Sequence, residues 1–168
     1  MEVKDLKKDI NPFKIKNIIL DIDNVVLDSR EWEKHIPKID TREGWDEYHK
    51  HHYLVFPNAD MIDFVKHLYC LKNIFFITAR EDITDMREIT INQLNDAFVG
   101  FRKWDKINKY LFMRNTCDYS PTKDVKFNVL HTHIFSKFGV DLAIDDDINN
   151  VEMYRNNGIP TIHYTKFL

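Results

Sequence analysis

The sequence predicts an α/β fold: a parallel sheet of about five strands with helices on both faces and a small insert, or lid, after the first strand. Three observations carry this. Short apolar runs occupy 17–20, 73–77, 110–113, 141–144 and 160–164; segments with helical spacing lie between them; and polar residues gather where the runs end. With 168 residues, the chain has single-domain size, so 1–168 is read as one domain with 24–60 as a cap-like insert.

Taken in order, the first run, Asn17 to Leu20, delivers Asp21-Ile22-Asp23 at its carboxyl end. The interval 24–60 follows, rich in charge and in aromatics such as Trp32, Trp45, Tyr48, Tyr53 and Phe56. A structureless loop of that length is improbable in a compact domain, so it is expected to form structure of its own beside the aspartates, with most of its aromatics anchoring it to the core. Met61, Phe64, Val65 and Leu68 mark a helix. The run 73–77 ends in Thr78 and Arg80, and a second helix carries Ile89, Leu94 and Phe98, with Asp85 and Glu88 as a capping pair. Val125, Val129, Ile134 and Phe138 outline a third helix with Gly139 as its stop. The run 141–144 leads into Asp145, Asp146 and Asp147, and a last helix with Val151 and Tyr154 ends before Gly158 and Pro160.

Composition narrows the function. Hydrophobic residues make up 43% and charged residues 30%, a globular balance, and the formal net charge of −3 argues against a generally basic surface coating nucleic acid. No apolar run is long enough to span a membrane, and the charged start Met-Glu-Val-Lys-Asp-Leu-Lys-Lys-Asp lacks a signal-peptide core, so a cytoplasmic protein is expected. Cys70 and Cys117 make no disulfide framework. None of the four glycines falls in GxGxxG or GxxxxGK[ST], which disfavours dinucleotide binding and P-loop kinase chemistry. His49, His51 and His52 lack a zinc spacing, and His131 and His133 stand two apart on a helix, facing different ways.

An isolated Asp-x-Asp after a strand is usually turn or cap chemistry. Here several strand ends carry polar groups, and in open α/β sheets those ends build sites. The groups suit hydrolysis of a phosphate monoester. Asp21 can attack phosphorus to give an aspartyl-phosphate, and Asp23 can protonate the leaving oxygen and then deprotonate water. Mg²⁺ held by Asp21, Asp145 and Asp146 would offset the repulsion between carboxylate and phosphate. Thr78 offers a hydroxyl and Lys126 a permanent cation.

In family order and across nearly the whole chain, Asp21 and Asp23, Thr78, Lys126, and the pair Asp145 and Asp146 resemble the motifs of the haloacid dehalogenase (HAD) superfamily of phosphohydrolases. Two stretches resemble more closely the 3′-phosphatase domain of bacteriophage polynucleotide kinase. Ile77-Thr78-Ala79-Arg80-Glu81 is similar to its SGRE segment, and Leu142-Ala143-Ile144-Asp145-Asp146-Asp147, followed by Val151-Glu152-Met153-Tyr154-Arg155 and Gly158, to its LAIDDR…VVEMWR…G. The spacing from Lys126 to Asp145 also matches, which prefers Lys126 over Lys123. The resemblance implies a Rossmann-like sheet with the first strand central and flanked by those carrying Thr78 and Asp145. It further implies Asp21 as nucleophile, Asp23 as acid/base, Thr78 and Lys126 as phosphate ligands, and Arg80 as a phosphate or substrate contact. Asp145 and Asp146 are the implied magnesium ligands, completed by Asp21 and Asp23. Alternative partners for Arg80 are Glu81 and Asp82, and a solvated helix face is the alternative for Lys126. Three departures stand out: Asn24-Val25 replaces the usual Gly-Thr, Asp147 stands where the phage enzyme has Arg, and no kinase motif is present. Asn tolerates left-handed backbone angles, so the turn can survive.

The expected function is a Mg²⁺-dependent phosphomonoesterase acting on a nucleotide or a 3′-phosphorylated nucleic-acid end, with Trp32, Trp45 or Tyr48 available to stack on a base. The alternative, motivated by Asn24 and Val25, is a non-catalytic module that sequesters a phosphorylated ligand. The expected partner is therefore a small phosphorylated substrate or a nucleic-acid 3′ end, with no membrane; oligomeric state is not legible.

Overall fold

The computed structural model describes residues 11–39, 41–107 and 109–165. The charged start behind the expected cytoplasmic location lies outside the described residues. Strand β1, Asn17–Leu20, occupies the centre of a parallel five-stranded sheet. It pairs on one side with β4, Asn73–Glu81, and on the other with β6, Leu142–Asp145. The edges are β5, Tyr110–Arg114, beside β4, and β7, Thr161–His163, beside β6. Ile18, Ile19 and Leu20 are all fully buried, as expected of a parallel strand covered on both faces.

Alternation along the strands divides the core. Ile18, Leu20, Ile74, Phe76, Leu142 and Ile144 meet helix α3, Ala59–Lys66, through Met61, Phe64 and Val65. Helix α4, Thr84–Ala97, adds Leu94 and Ala97 to the same layer. Across the sheet, Ile19, Phe75, Ile77 and Ala143 pack on Leu130 and Ile134, and on Tyr154 of helix α7, Ile148–Asn156. Helix α6 runs over Thr122–Val129 and continues as a π-turn through Leu130–Ile134.

The described residues of the interval 24–60 form short elements. Strand β2, Leu27–Asp28, pairs antiparallel with β3, Phe56–Pro57. Between them lie α1, Arg30–Glu33, and α2, Arg42–Lys50, followed by a single 3₁₀ turn over His52–Leu54. Asn58 fastens its end: Nδ2 donates to the Val25 carbonyl at 2.7 Å and to the Tyr164 hydroxyl at 2.8 Å. Helix α5, Trp104–Ile107, precedes β5.

Several boundaries differ from the sequence reading. The second strand continues beyond Ile77 to Glu81, where Glu81 pairs with Arg114 after a shift in register. Strand β6 begins at Leu142; just before it, the Asp141 carboxylate accepts from the Lys16 and Asn17 amides at 2.8 and 2.9 Å. Strand β7 covers Thr161–His163 within the expected 160–164. Helix α4 starts at Thr84 with Ile83 at its N-cap and no capping side chain, so Asp85 and Glu88 form no cap. The third helix ends at Ile134, ahead of Phe138, and Gly139 does not stop it.

Candidate active site

The carboxyl ends of β1, β4 and β6 meet where the apolar runs give way to polar residues, and they bring the expected groups together. Asp21 directly follows β1. Its amide donates to the Ile144 carbonyl at 3.0 Å, and its Oδ1 accepts from the Ile22 amide at 2.8 Å, which fixes the carboxylate against the strand end. Lys126 reaches in from α6 with 1% of its side chain exposed. Its Nζ lies 2.9 Å from Asp21 Oδ2 and 2.7 Å from Asp145 Oδ2. The alternative of a solvated Lys126 is thereby excluded, while Lys123 is exposed on the same helix.

Asp145 closes β6 completely buried, its Oδ1 accepting from Asn150 Nδ2 at 2.9 Å and from the Asp147 amide at 3.1 Å. Asp147 is a helix cap: its Oδ1 accepts from the Asn149 amide at 2.8 Å at the start of α7. Of three successive aspartates, the third therefore serves the backbone, and the first two face the site.

Asp21, Asp145 and Asp146 each offer an oxygen, and these oxygens lie within 4.8 Å of one another. Three acids thus cluster beside the ammonium of Lys126, which bonds two of them, Asp21 and Asp145. Burial raises the Asp21 carboxyl well above its usual range; Lys126 opposes this, and the neighbouring Asp145 and Asp146 reinforce it. Burial and the charge on Asp145 push Asp146 up to about 6. Lys126 shows the reverse balance, since burial would lower it but Asp145 and Asp21 hold it above its usual range. An all-oxygen set with excess buried negative charge suits a hard divalent cation such as Mg²⁺.

Asp23 stands outside that cluster. Its carboxylate is gripped by Arg80, with Nε on Oδ2 at 2.9 Å and Nη2 on Oδ1 at 2.7 Å. Thr78 Oγ1 lies 3.5 Å from Asp23 Oδ2 and accepts from the Arg80 amide at 3.2 Å. Arg80, expected to touch phosphate or substrate, has other partners: besides Asp23, its Nη1 donates to Thr90 Oγ1 and Gln93 Oε1 at 3.0 and 2.6 Å. Neither Glu81 nor Asp82 pairs with it. Asp82 takes Arg87 at 2.6 Å, and Glu81 accepts from the Cys117 amide at 3.0 Å.

The turn after Asp23 accounts for both unusual residues. Asn24 adopts a left-handed φ of 57°, and its amide side chain donates to Glu33 Oε1 at 2.7 Å and accepts from Ser29 Oγ at 3.2 Å. Val25 is fully buried in the core.

A nucleophile-like carboxylate, an acid two residues on, a strand-end threonine, a buried lysine and an acidic pair now stand in one place and in family order. The family model described as the polynucleotide kinase PNKP phosphatase domain matches residues 15–166. The chain belongs to this family of HAD-type phosphatase domains. Among solved structures, the phosphatase resembles chains of the Pnkp1/Rnl/Hen1 complex and of the Pnkp1/Rnl/Hen1 RNA repair complex, at 18% and 19% identity and a TM-score of 0.59 for each. These matches cover 89% and 91% of the phosphatase but only 46% and 44% of the chains it resembles. A haloacid dehalogenase-like hydrolase from Streptococcus pneumoniae shares the fold at a TM-score of 0.51 and 14% identity, over 88% of this chain and 83% of that one. No curated protein matches the sequence. Among the described residues, no helix of the phosphatase is long and apolar enough to cross a membrane.

Sequence reasoning missed the supports of the site. Trp32, expected among the base-stacking residues, is 1% exposed; it stacks on Tyr48 at 4.6 Å and lies under the Arg80 guanidinium at 4.8 Å, so it cannot receive a base. Thr90, Gln93 and Asn150 were also missed. Thr90 and Asn150 had a signal in the sequence, each a polar residue four before an apolar one on a buried helix face, Leu94 on α4 and Tyr154 on α7, whereas Gln93 had none.

Proposed function

We propose that the phosphatase hydrolyses phosphate monoesters of nucleotides or of 3′-phosphorylated nucleic-acid ends through an aspartyl-phosphate on Asp21, with Mg²⁺ as cofactor. The observation that carries this reading is the placement of Asp21 at the end of the central strand, one oxygen on Lys126 and both acids of the Asp145-Asp146 pair beside it. The polynucleotide kinase phosphatase family favours the nucleic-acid end.

Asp21 attacks phosphorus, the bond to the leaving oxygen breaks, and Asp23 gives that oxygen its proton. Asp23 then takes a proton from the water that attacks the aspartyl-phosphate, releasing inorganic phosphate and restoring Asp21. Lys126 and Thr78 balance and orient the phosphoryl oxygens. Asp21, Asp145 and Asp146 would hold Mg²⁺, which supplies positive charge against the carboxylates and the phosphoryl group. The rival reading, a module that binds without turnover, loses its motive, since Asn24 and Val25 both serve the turn and core.

A panel of 3′-phosphorylated oligonucleotides, 3′- and 5′-nucleoside monophosphates and sugar phosphates, assayed with Mg²⁺, tests the proposal. Release of phosphate from the first two classes is expected, together with an acid-stable phosphoprotein on rapid quench and loss of both in Asp21→Asn. Preference for sugar phosphates would reject the substrate assignment, and binding without turnover would reject catalysis.

A further inference from the structure

The guanidinium of Arg80 is held at Nε, Nη1 and Nη2, and one of its holders, Gln93, is itself tied to the interval 24–60. Gln93, half-buried on α4, accepts from Arg80 Nη1 through Oε1 at 2.6 Å and donates from Nε2 to the His52 carbonyl at 2.9 Å. The chemistry fixes the amide's orientation: a guanidinium only donates and a carbonyl only accepts, so Oε1 must face Arg80 and Nε2 must face His52. Thr90 Oγ1 is the other acceptor on Nη1, and Trp32 covers the guanidinium face.

We propose that Gln93 is a positioning residue for proton transfer, orienting the Arg80 guanidinium, and through it the Asp23 carboxylate, from the backbone of the 24–60 segment. The inference rests on the reading of Asp23 as the acid/base. A guanidinium is planar with its donors at fixed angles, so anchoring Nη1 sets the direction of the Nε and Nη2 edge. That edge makes both bonds to Asp23. A chain of contacts therefore runs from His52 through Gln93 and Arg80 to the carboxylate that must meet the leaving oxygen. This chain of contacts ties the proton donor to the backbone of the 24–60 segment.

The test is the dependence of kcat/KM on the leaving group, because kcat/KM covers the step in which the ester bond breaks. A dinitrophenolate leaves without a proton, whereas a nucleoside hydroxyl needs one. In Gln93→Ala, and more strongly in Thr90→Val/Gln93→Ala, kcat/KM for a 3′-phosphorylated nucleotide should fall roughly tenfold or more, part of the range that general acid catalysis spans. Dinitrophenyl phosphate should stay within about twofold, because its leaving group needs no proton donor. Gln93→Leu, which keeps the volume, should show the same split. Equal losses on both substrates, or no loss on either, in variants that melt like the parent would overturn the inference while leaving the proposed function intact. A parent protein that cleaves no phosphate monoester would overturn the functional reading, and this inference with it.

Discussion

Asn24 shows what a single residue contributes to the site. The turn between Asp23 and β2 needs a left-handed residue, and asparagine provides it while tying Ser29 and Glu33 to the loop. Asn24→Val should therefore cost about 1–2 kcal/mol from the backbone alone. Asn24→Gly should cost less, as urea unfolding would show. Lys126 is the more severe case. One ammonium bridges two buried carboxylates, so Lys126→Met strands both, and a loss of about 3–5 kcal/mol is expected in the same measurement. Asp21, Asp23, Thr78, Asp145 and Asp146 stood out in the sequence as polar groups after apolar runs, and Lys126 by the spacing to Asp145 that the resemblance supplied. The metal-ligand expectation for Asp23 was not legible correctly, since Arg80 holds its carboxylate outside the acidic cluster. Arg80 was legible as a residue but not in its contacts, because the groups that surround it come from α4 and from the insert, and no local pattern joins them.

Among the elements, the strands of the sheet were readable because a strand covered on both faces must be apolar throughout. The extension of β4 across Thr78 to Glu81 was not, since its pairing with Arg114 leaves no mark in hydrophobicity. Strands β2 and β3 are two residues each, too short for any periodicity to register. Helix α6 carried a signal that the regular pattern obscured. Its apolar positions step by four from Val125 to Val129 and by five from Val129 to Ile134, and the longer step falls on the π-turn, where the Phe135 amide bonds the Leu130 carbonyl at 2.9 Å. Glycine gives the sharpest test at this scale. Gly158, after α7, has a φ of 75°, and Gly139 has no such requirement. Gly158→Ala should destabilise by about 1 kcal/mol or more, and Gly139→Ala should not; thermal unfolding of the two variants side by side distinguishes them.

For the molecule as a whole, the excess of acids over lysine at the carboxyl ends of the central strands links stability to both proton and metal. Asp21 and Asp146 are raised above their unfolded values, so the metal-free folded protein binds more protons than the unfolded chain. Its stability from these groups is greatest below about pH 4, the range of an unperturbed carboxyl. It falls as pH rises through about 6, the folded value for Asp146. Comparing melting temperatures with those of Asp146→Asn over that range isolates the effect, which should be smaller in the variant. Mg²⁺ should raise the melting temperature of the parent near neutral pH, and EDTA should reverse the gain. Both responses should be blunted in Asp146→Asn. The Asn58–Tyr164 hydrogen bond joins positions 106 apart, at the loop that follows Asp23. Asp21 precedes Lys126, β6 and Tyr164 in the sequence, so the first residues of the site are completed only when segments far along the chain have docked. Such distant closures make folding slow. Phosphatase activity should accordingly appear at the end of folding, when β7 docks and Tyr164 reaches Asn58, and not in step with the first collapse of the sheet.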